Sequence, residues 1–173
     1  TPLVLISTFT SDGSDATASF TSGIDSTYKE YMFVFNNIHP ETDQNNNFTV
    51  NFSADGGSNY NVTKTTTFFS SEHQEDDSDA FFAYKTSDDL AQSTSAQMLT
   101  TNAGVSADAD HGTSGFLKLY NPSSTTFVKH FISTTNFAHW QNVTANVFVA
   151  GYANTTSAIN AVQFKFSSGE IQG

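Results

Sequence analysis

"EYMFVFNN", residues 30–37, decides how the chain is layered. In an extended chain Tyr31, Phe33 and Phe35 point to one side and Met32 and Val34 to the other, so both faces are apolar. A strand in one layer of a two-layered protein buries a single face. The second face needs a crossing loop, a further layer or a neighbouring subunit, and a neighbouring copy, around a threefold axis, is the expectation here.

Working outward, two windows alternate cleanly with a period of two. "FTVNFS" sets Phe48, Val50 and Phe52 against Thr49, Asn51 and Ser53, and "VQFKFS" sets Val162, Phe164 and Phe166 against Gln163 and Lys165. These read as strands with one wet face. "FFAYK" (81–85), "GFLKLY" (115–120), "FVKHFIS" (127–133) and "NVFVAGY" (146–152) read as strands buried on both sides, and "LVLISTF" near the start and "ATASF" (16–20) bring the number to about ten. Turn chemistry separates them at "SDGSD" (11–15), "ADGGSN" (54–59) and "NPSS" (121–124). The one helical candidate, "SDDLAQSTSAQML" from Ser87, has Ser and Thr through its middle and predicts a single turn. The fold class is therefore all-β: one antiparallel β-sandwich domain over 1–173, jelly-roll-like, with little helix. Residues 40–47 and 70–80 are the expected mobile loops.

The composition narrows the function. Seventeen acidic residues face six basic ones, all lysines and scattered singly, for a net charge of −11. Phosphate-gripping clusters of Lys and Arg are missing, which argues against nucleic-acid binding. Ser, Thr and Asn make up over a third of the 173 residues, so the polar surface consists mainly of hydroxyls and amides. There is no cysteine, which excludes disulfides and thiolate metal sites. No apolar run approaches the roughly 18 residues of a membrane-spanning helix, and the start lacks a signal-peptide pattern. The sequence begins at Thr1 without Met, consistent with processing or truncation.

Candidate chemistry is sparse. The acidic run Glu72, Glu75, Asp76, Asp77 and Asp79 could offer oxygens to a hard cation but reads as a solvated loop. "DADHG" (108–112) imitates the start of a calcium loop, yet Leu119 stands where the closing glutamate belongs. The histidines at 39, 73, 111, 130 and 139 have no metal-ligand spacing, and His130 reads as a packed strand residue with one satisfied nitrogen. No G-x-S-x-G elbow and no selected carboxylate pair appear, so no catalytic, cofactor or metal residues are assigned and the chain is not expected to be an enzyme. Trp140, with Tyr60 or Tyr152, is the one candidate for stacking on a sugar ring. The sequons at Asn47, Asn51, Asn61, Asn142 and Asn154 follow from the Asn/Thr-rich composition.

The segments "FTSGIDSTYKEYMFVFNNIHPETD", "FSADGGSNYNVTKTTT", "LYNPSSTTFVKHFISTTN" and "VAGYANTTSAINAVQFKFSSGEIQG" resemble a family of small virion structural proteins of tailed phages, especially marine and cyanobacterial ones. The likeness covers most of the chain and is looser between Ser70 and Ser114. It implies a β-rich particle component located in the virion, of fibre, tail-associated or capsid-decoration type, with no catalytic residues to carry over. The implied partners are other copies of itself and other virion proteins, with no nucleic acid and no membrane. Family members continue past "SSG" into one more short strand, whereas this sequence stops at Gly173. The alternative is a carbohydrate-binding adhesion module that recognises bacterial surface glycans.

Overall fold

The computed structural model describes residues 2–42, 46–139 and 141–172. Ten strands follow one another: β1 (Ala18–Phe20), β2 (Glu30–Ile38), β3 (Phe48–Ser53), β4 (Lys64–Gln74), β5 (Ala80–Tyr84), β6 (Gln97–Met98), β7 (Thr113–Tyr120), β8 (Lys129–His139), β9 (Val143–Ala153) and β10 (Ala161–Phe166). They form two antiparallel sheets, a smaller one in the order β1-β10-β3-β6 and a larger one in the order β2-β7-β8-β9-β4-β5. If the hairpin β7-β8 is set aside, the remaining strands make two four-stranded sheets, β1-β10-β3-β6 and β2-β9-β4-β5, in jelly-roll order. The expected all-β sandwich is what the chain forms.

Phenylalanine rings hold the two sheets together. Phe35 of β2 meets Phe48 of β3 and Phe164 of β10 edge-on, each at 5.0 Å between ring centres. Phe33 reaches Phe164 at 5.3 Å and Phe20 at 5.4 Å, and Phe52 meets Phe131 at 5.1 Å further along the core. Edge-to-face pairs of this kind add about 0.5–1.5 kcal/mol each beyond their burial. On β7, Leu117 and Leu119 complete the inward row, while Gly115 lies so close to β8 that an added Cβ would fall 2.2 Å from the Thr134 carbonyl oxygen.

Several expectations fail, each for a physical reason. Residues 2–10 form no strand, because no edge of their own chain pairs with them. Residues 81–85 are not buried on both sides: β5 is an edge strand whose Phe81, Phe82 and Tyr84 are exposed. The polar face of β3 is not wet. Thr49, Asn51 and Ser53 are buried: Thr49 Oγ1 donates to the Lys165 carbonyl of the paired strand β10, Asn51 Nδ2 donates to the Thr94 carbonyl of the β5–β6 connection, and Ser53 Oγ accepts from the Gly57 amide of the β3–β4 connection. Residues 70–74 belong to β4 and residue 80 to β5, which leaves 75–79 as a tight connection. Pro40, placed in an expected mobile loop, is buried and bridges to Ile171, and residues 43–45 of that stretch lie outside the described residues. The single turn expected at Ser87 is present, without a longer helix: Asp88 donates its amide to the Lys85 carbonyl.

Two lysines are fully buried. Lys64 and Lys129 flank Ala153 on the inward side of the larger sheet. Lys64 Nζ donates to Asn51 Oδ1 (2.6 Å) and to the Val62 carbonyl (2.9 Å), and Lys129 Nζ donates to the carbonyls of Thr155 (3.0 Å) and Ser157 (2.6 Å). Burial pushes the Lys64 ammonium down to about 8 and lowers that of Lys129 as well. Both lysines act as clamps that tie the β3–β4 and β9–β10 connections to one end of the core.

The ring network predicts a steep cost for its central member. Phe164→Ala should lose about 3–5 kcal/mol of unfolding free energy, whereas Lys165→Ala, one residue on and exposed, should stay within about 0.5 kcal/mol. Chemical denaturation of the two variants checks this, and similar losses in both would contradict the proposed keystone.

Candidate functional site

The largest feature outside the core is the outer face of the six-stranded sheet. Because successive side chains alternate, the register places Val34, Phe116, Thr134, Phe148, Phe69 and Tyr84 in one lateral row across all six strands. Phe69 stacks on Phe148 at 5.0 Å and tilts against Phe82 at 5.4 Å. The next row begins Met32, Lys118, Ile132, Ala150, Thr67. Val34 is 71% exposed, Phe82 69% and Ile132 45%, so no part of the described chain covers this surface. The second apolar face of "EYMFVFNN" is open.

Charge is nearly absent there. Of the outward-pointing strand residues only Glu30 and Lys118 are charged, and they pair with each other at 2.8 Å, which holds the Lys118 ammonium above its usual range. In a chain of net charge −11, Glu30 is the one acid that a strand of this sheet points outward.

At one end of this face a shallow depression is lined by Tyr120, Asn121, Phe127, Val128, His130 and Thr156. Phe127 precedes β8 rather than belonging to it, and its ring is 68% exposed. His130 corrects the sequence reading. The alternation along β8 sends Lys129 inward and His130 outward, where the imidazole lies 6.1 Å from the Tyr152 ring and, among the described residues, makes no hydrogen bond. Trp140, the sequence candidate for sugar stacking, lies outside the described residues. Its suggested companions are separated by element: Tyr152 points outward from β9, and Tyr60 sits half-buried in the β3–β4 connection.

The acidic run divides. Glu72 points inward from β4, where it accepts from Ser70 Oγ (2.6 Å) and pairs with Lys85 Nζ (3.2 Å). Glu75, Asp76, Asp77 and Asp79 remain in solvent; Asp76 accepts from the Ser78 amide and Asp77 pairs with His73 at 3.2 Å. This is the solvated loop read from the sequence.

Among the described residues, one set of three potential ligands comes within reach of a common ion: Asp108, Asp110 and His111. Ser106 organises it. Its hydroxyl donates to Asp108 Oδ2 (2.9 Å), accepts from the Asp108 amide (3.0 Å) and lies 3.0 Å from His111 Nδ1. A Ser-His-Asp triad needs serine and aspartate on opposite ring nitrogens. Here Ser106 and Asp108, the latter at 3.7 Å, both face Nδ1, Asp110 stands 4.0 Å from Nε2 and so beyond hydrogen-bond distance, and Ser106 is buried, so no aspartate hydrogen-bonds the nitrogen opposite the serine. Calcium needs six to eight oxygens. Leu119, at the closing position, is buried in the core.

The same end of the sandwich holds His39 and His139. Burial lowers the pKa of His39, and the charge of His111 lowers it further. Burial also lowers that of His139, against an opposing pull from Glu72 and with smaller contributions from His111 and Lys85. A histidine whose folded pKa lies below its unfolded value binds fewer protons when folded, so stability is lost as pH falls through 6.5 and below. The thermal midpoint should accordingly drop between pH 7 and pH 5, and the double variant His39→Gln, His139→Asn should flatten that slope. A wild-type midpoint constant across this range would contradict the assignment.

No family model, no curated protein and no solved structure matches the chain.

Proposed function

We propose that this chain is a non-enzymatic structural component of a tailed-phage virion, of fibre, tail-associated or capsid-decoration type, that assembles with itself and docks on the particle. The observation that carries the reading is the outer face of the larger sheet, apolar in its central rows and carrying one internally neutralised ion pair. Two copies with a charge of −11 repel one another wherever their acids meet, and this is the surface on which they can approach without that cost. Six strands about 4.8 Å apart, each about nine residues long, present on the order of 750 Å². That is close to the ~800 Å² per partner of a standard stable interface. The occupant is therefore a second copy of the chain. The resemblance of residues 20–43 and of the other quoted segments to virion proteins supplies the setting, and the cysteine-free, hydroxyl-rich sandwich suits persistence outside a cell.

Light scattering at micromolar concentration should give a discrete oligomer. The double variant Ile132→Glu, Phe82→Glu should lower the mass while leaving the circular dichroism unchanged. A wild-type chain that stays monomeric would refute self-assembly.

A second reading is favoured by one observation, the depression floored by Tyr120, Phe127 and His130 with Asn121 beside it, which has the aromatic and amide groups that a sugar ring uses. In that reading the chain is an adhesion module for bacterial surface glycans. On a glycan array Phe127→Ala should then abolish binding; no binding by the wild type, or binding indifferent to the substitution, would remove this site.

A further inference from the structure

Residues 2–10, "PLVLISTFT", belong to no strand, helix or turn and are exposed along their whole length. Leu3 is 82% and Leu5 80% exposed, and Val4, Ile6 and Phe9 are exposed as well. The segment carries no charge in a chain with 17 acids. Among the described residues it makes no hydrogen bond at all, although every amide in it except that of Pro2 is a donor. An apolar, unpaired, uncharged arm of this kind lacks its partner.

The partner it lacks is an unpaired sheet edge, and the two sheets of the described residues have four. Three are short: β1 has three residues, β6 two and β5 five. Short edge strands are a known protection against unwanted pairing. The fourth, β2, has nine residues, is hydrogen-bonded only to β7, and presents "YMFVF" with apolar groups on both faces. A nine-residue arm extends about 30 Å, which is the length of a nine-residue strand.

The arm and this edge lie on one flank of the molecule. Ile6 Cγ2 comes within 2.6 Å of where a Cβ on Gly23 would sit, Tyr31 of β2 donates its hydroxyl to the Asp25 carbonyl (3.1 Å), and Phe20 of β1 packs on Phe33 of β2. In its own molecule the arm is held beside Gly23 and does not reach the β2 ladder. Two copies related by a twofold axis on this flank would each bring an arm to the other's edge, which is the self-complementary contact that such symmetry requires.

We propose that residues 2–10 of one copy add as a seventh strand to the free edge of β2 in a second copy, with the exchange reciprocated. Main-chain hydrogen bonds supply the pairing, and alternate side chains find two apolar surfaces. One side of the arm continues the outer row of Met32 and Val34; the other closes over the half-buried rings of Phe20 and Phe33 between the sheets. The proposal rests on the self-assembly put forward above and names one contact through which it happens.

The absence of cysteine makes the test direct. Single-cysteine chains Ile6→Cys and Val34→Cys are mixed and oxidised, with Lys165→Cys on the smaller sheet as the control partner. The expected result is a disulfide-linked Ile6→Cys/Val34→Cys dimer at least tenfold above the control pair. Deletion of residues 2–10, and separately Leu3→Asp with Leu5→Asp in the full chain, should weaken association at least tenfold in light scattering. A mixed product no greater than the control overturns the proposal. So does Val34→Cys that links to itself in preference, because β2 would then pair with β2. An intramolecular link in a chain carrying both cysteines, formed in preference to the dimer, overturns it in favour of the chain's own arm. If the arm-deleted chain assembles as the wild type does, arm exchange fails while self-assembly stands; a monomeric wild type refutes both.

Discussion

Everything in this molecule depends on the contact of Phe35, Phe48 and Phe164 across the two sheets. A strand places side chains on alternate faces, so committing Tyr31, Phe33 and Phe35 to that contact commits Met32 and Val34 to the opposite side. The same holds on β9, where Val147 and Val149 go inward and Phe148 outward, and on β4, where Phe68 goes inward and Phe69 outward. The outer face is thus apolar for a reason the core alone does not supply. A polar residue at Val34, Phe116, Phe148 or Phe69 would leave the inter-sheet contact untouched. Their presence is information about what lies outside the sheet.

The alternation of "FTVNFS" and "VQFKFS" was legible because period two and the identity of the apolar residues agree. The turns were legible for a similar reason: Gly56 and Gly57 both take positive φ, at 74° and 88°, and Asn121 sits at 47° before Pro122, as the turn residues foretold. What was not legible depends on partners distant in sequence. Burial of Asn51 involves the segment around Thr94, whose carbonyl it satisfies, and the Thr49 hydroxyl finds its acceptor in the Lys165 carbonyl of the paired strand. "FFAYK" reads as interior because composition cannot distinguish a central strand from an edge. Residues 3–9 have every local property of a strand, and only the want of a neighbour keeps them from being one.

The candidate site was legible in its apolar character and not in its polar partners. "FVKHFIS" reads as buried on both sides with His130 packed, whereas only the face that carries Lys129 is buried and His130 is exposed. Lys129 goes inward since Thr155 and Ser157 offer it two carbonyls at the end of the core, and Lys64 does so through Asn51 and Val62. Uncharged acceptors satisfy both ammonium groups, and their long stems pack like hydrocarbon. Removing two of six cations from the surface also sharpens the acidity of what remains outside.

That acidity bears on how assembly could be limited. Repulsion between acidic loops acts over roughly 8–10 Å at physiological salt, whereas strand pairing and apolar packing act only on contact. A reciprocal arm exchange uses one arm and one edge from each copy, so it closes at two and leaves no long free edge to recruit a third. The outer face of the larger sheet is a different surface and is not consumed by such an exchange. In the proposed assembly a chain with one closing contact and one further apolar face would pair first, and the pairs would then associate through the sheet faces, as a repeating shell or fibre requires. Growth in that scheme is governed by how well salt or a particle surface screens the acids. Under that proposal the charge-poor face and the charge-free arm belong together, because the regions proposed to touch are the regions that carry little or no net charge.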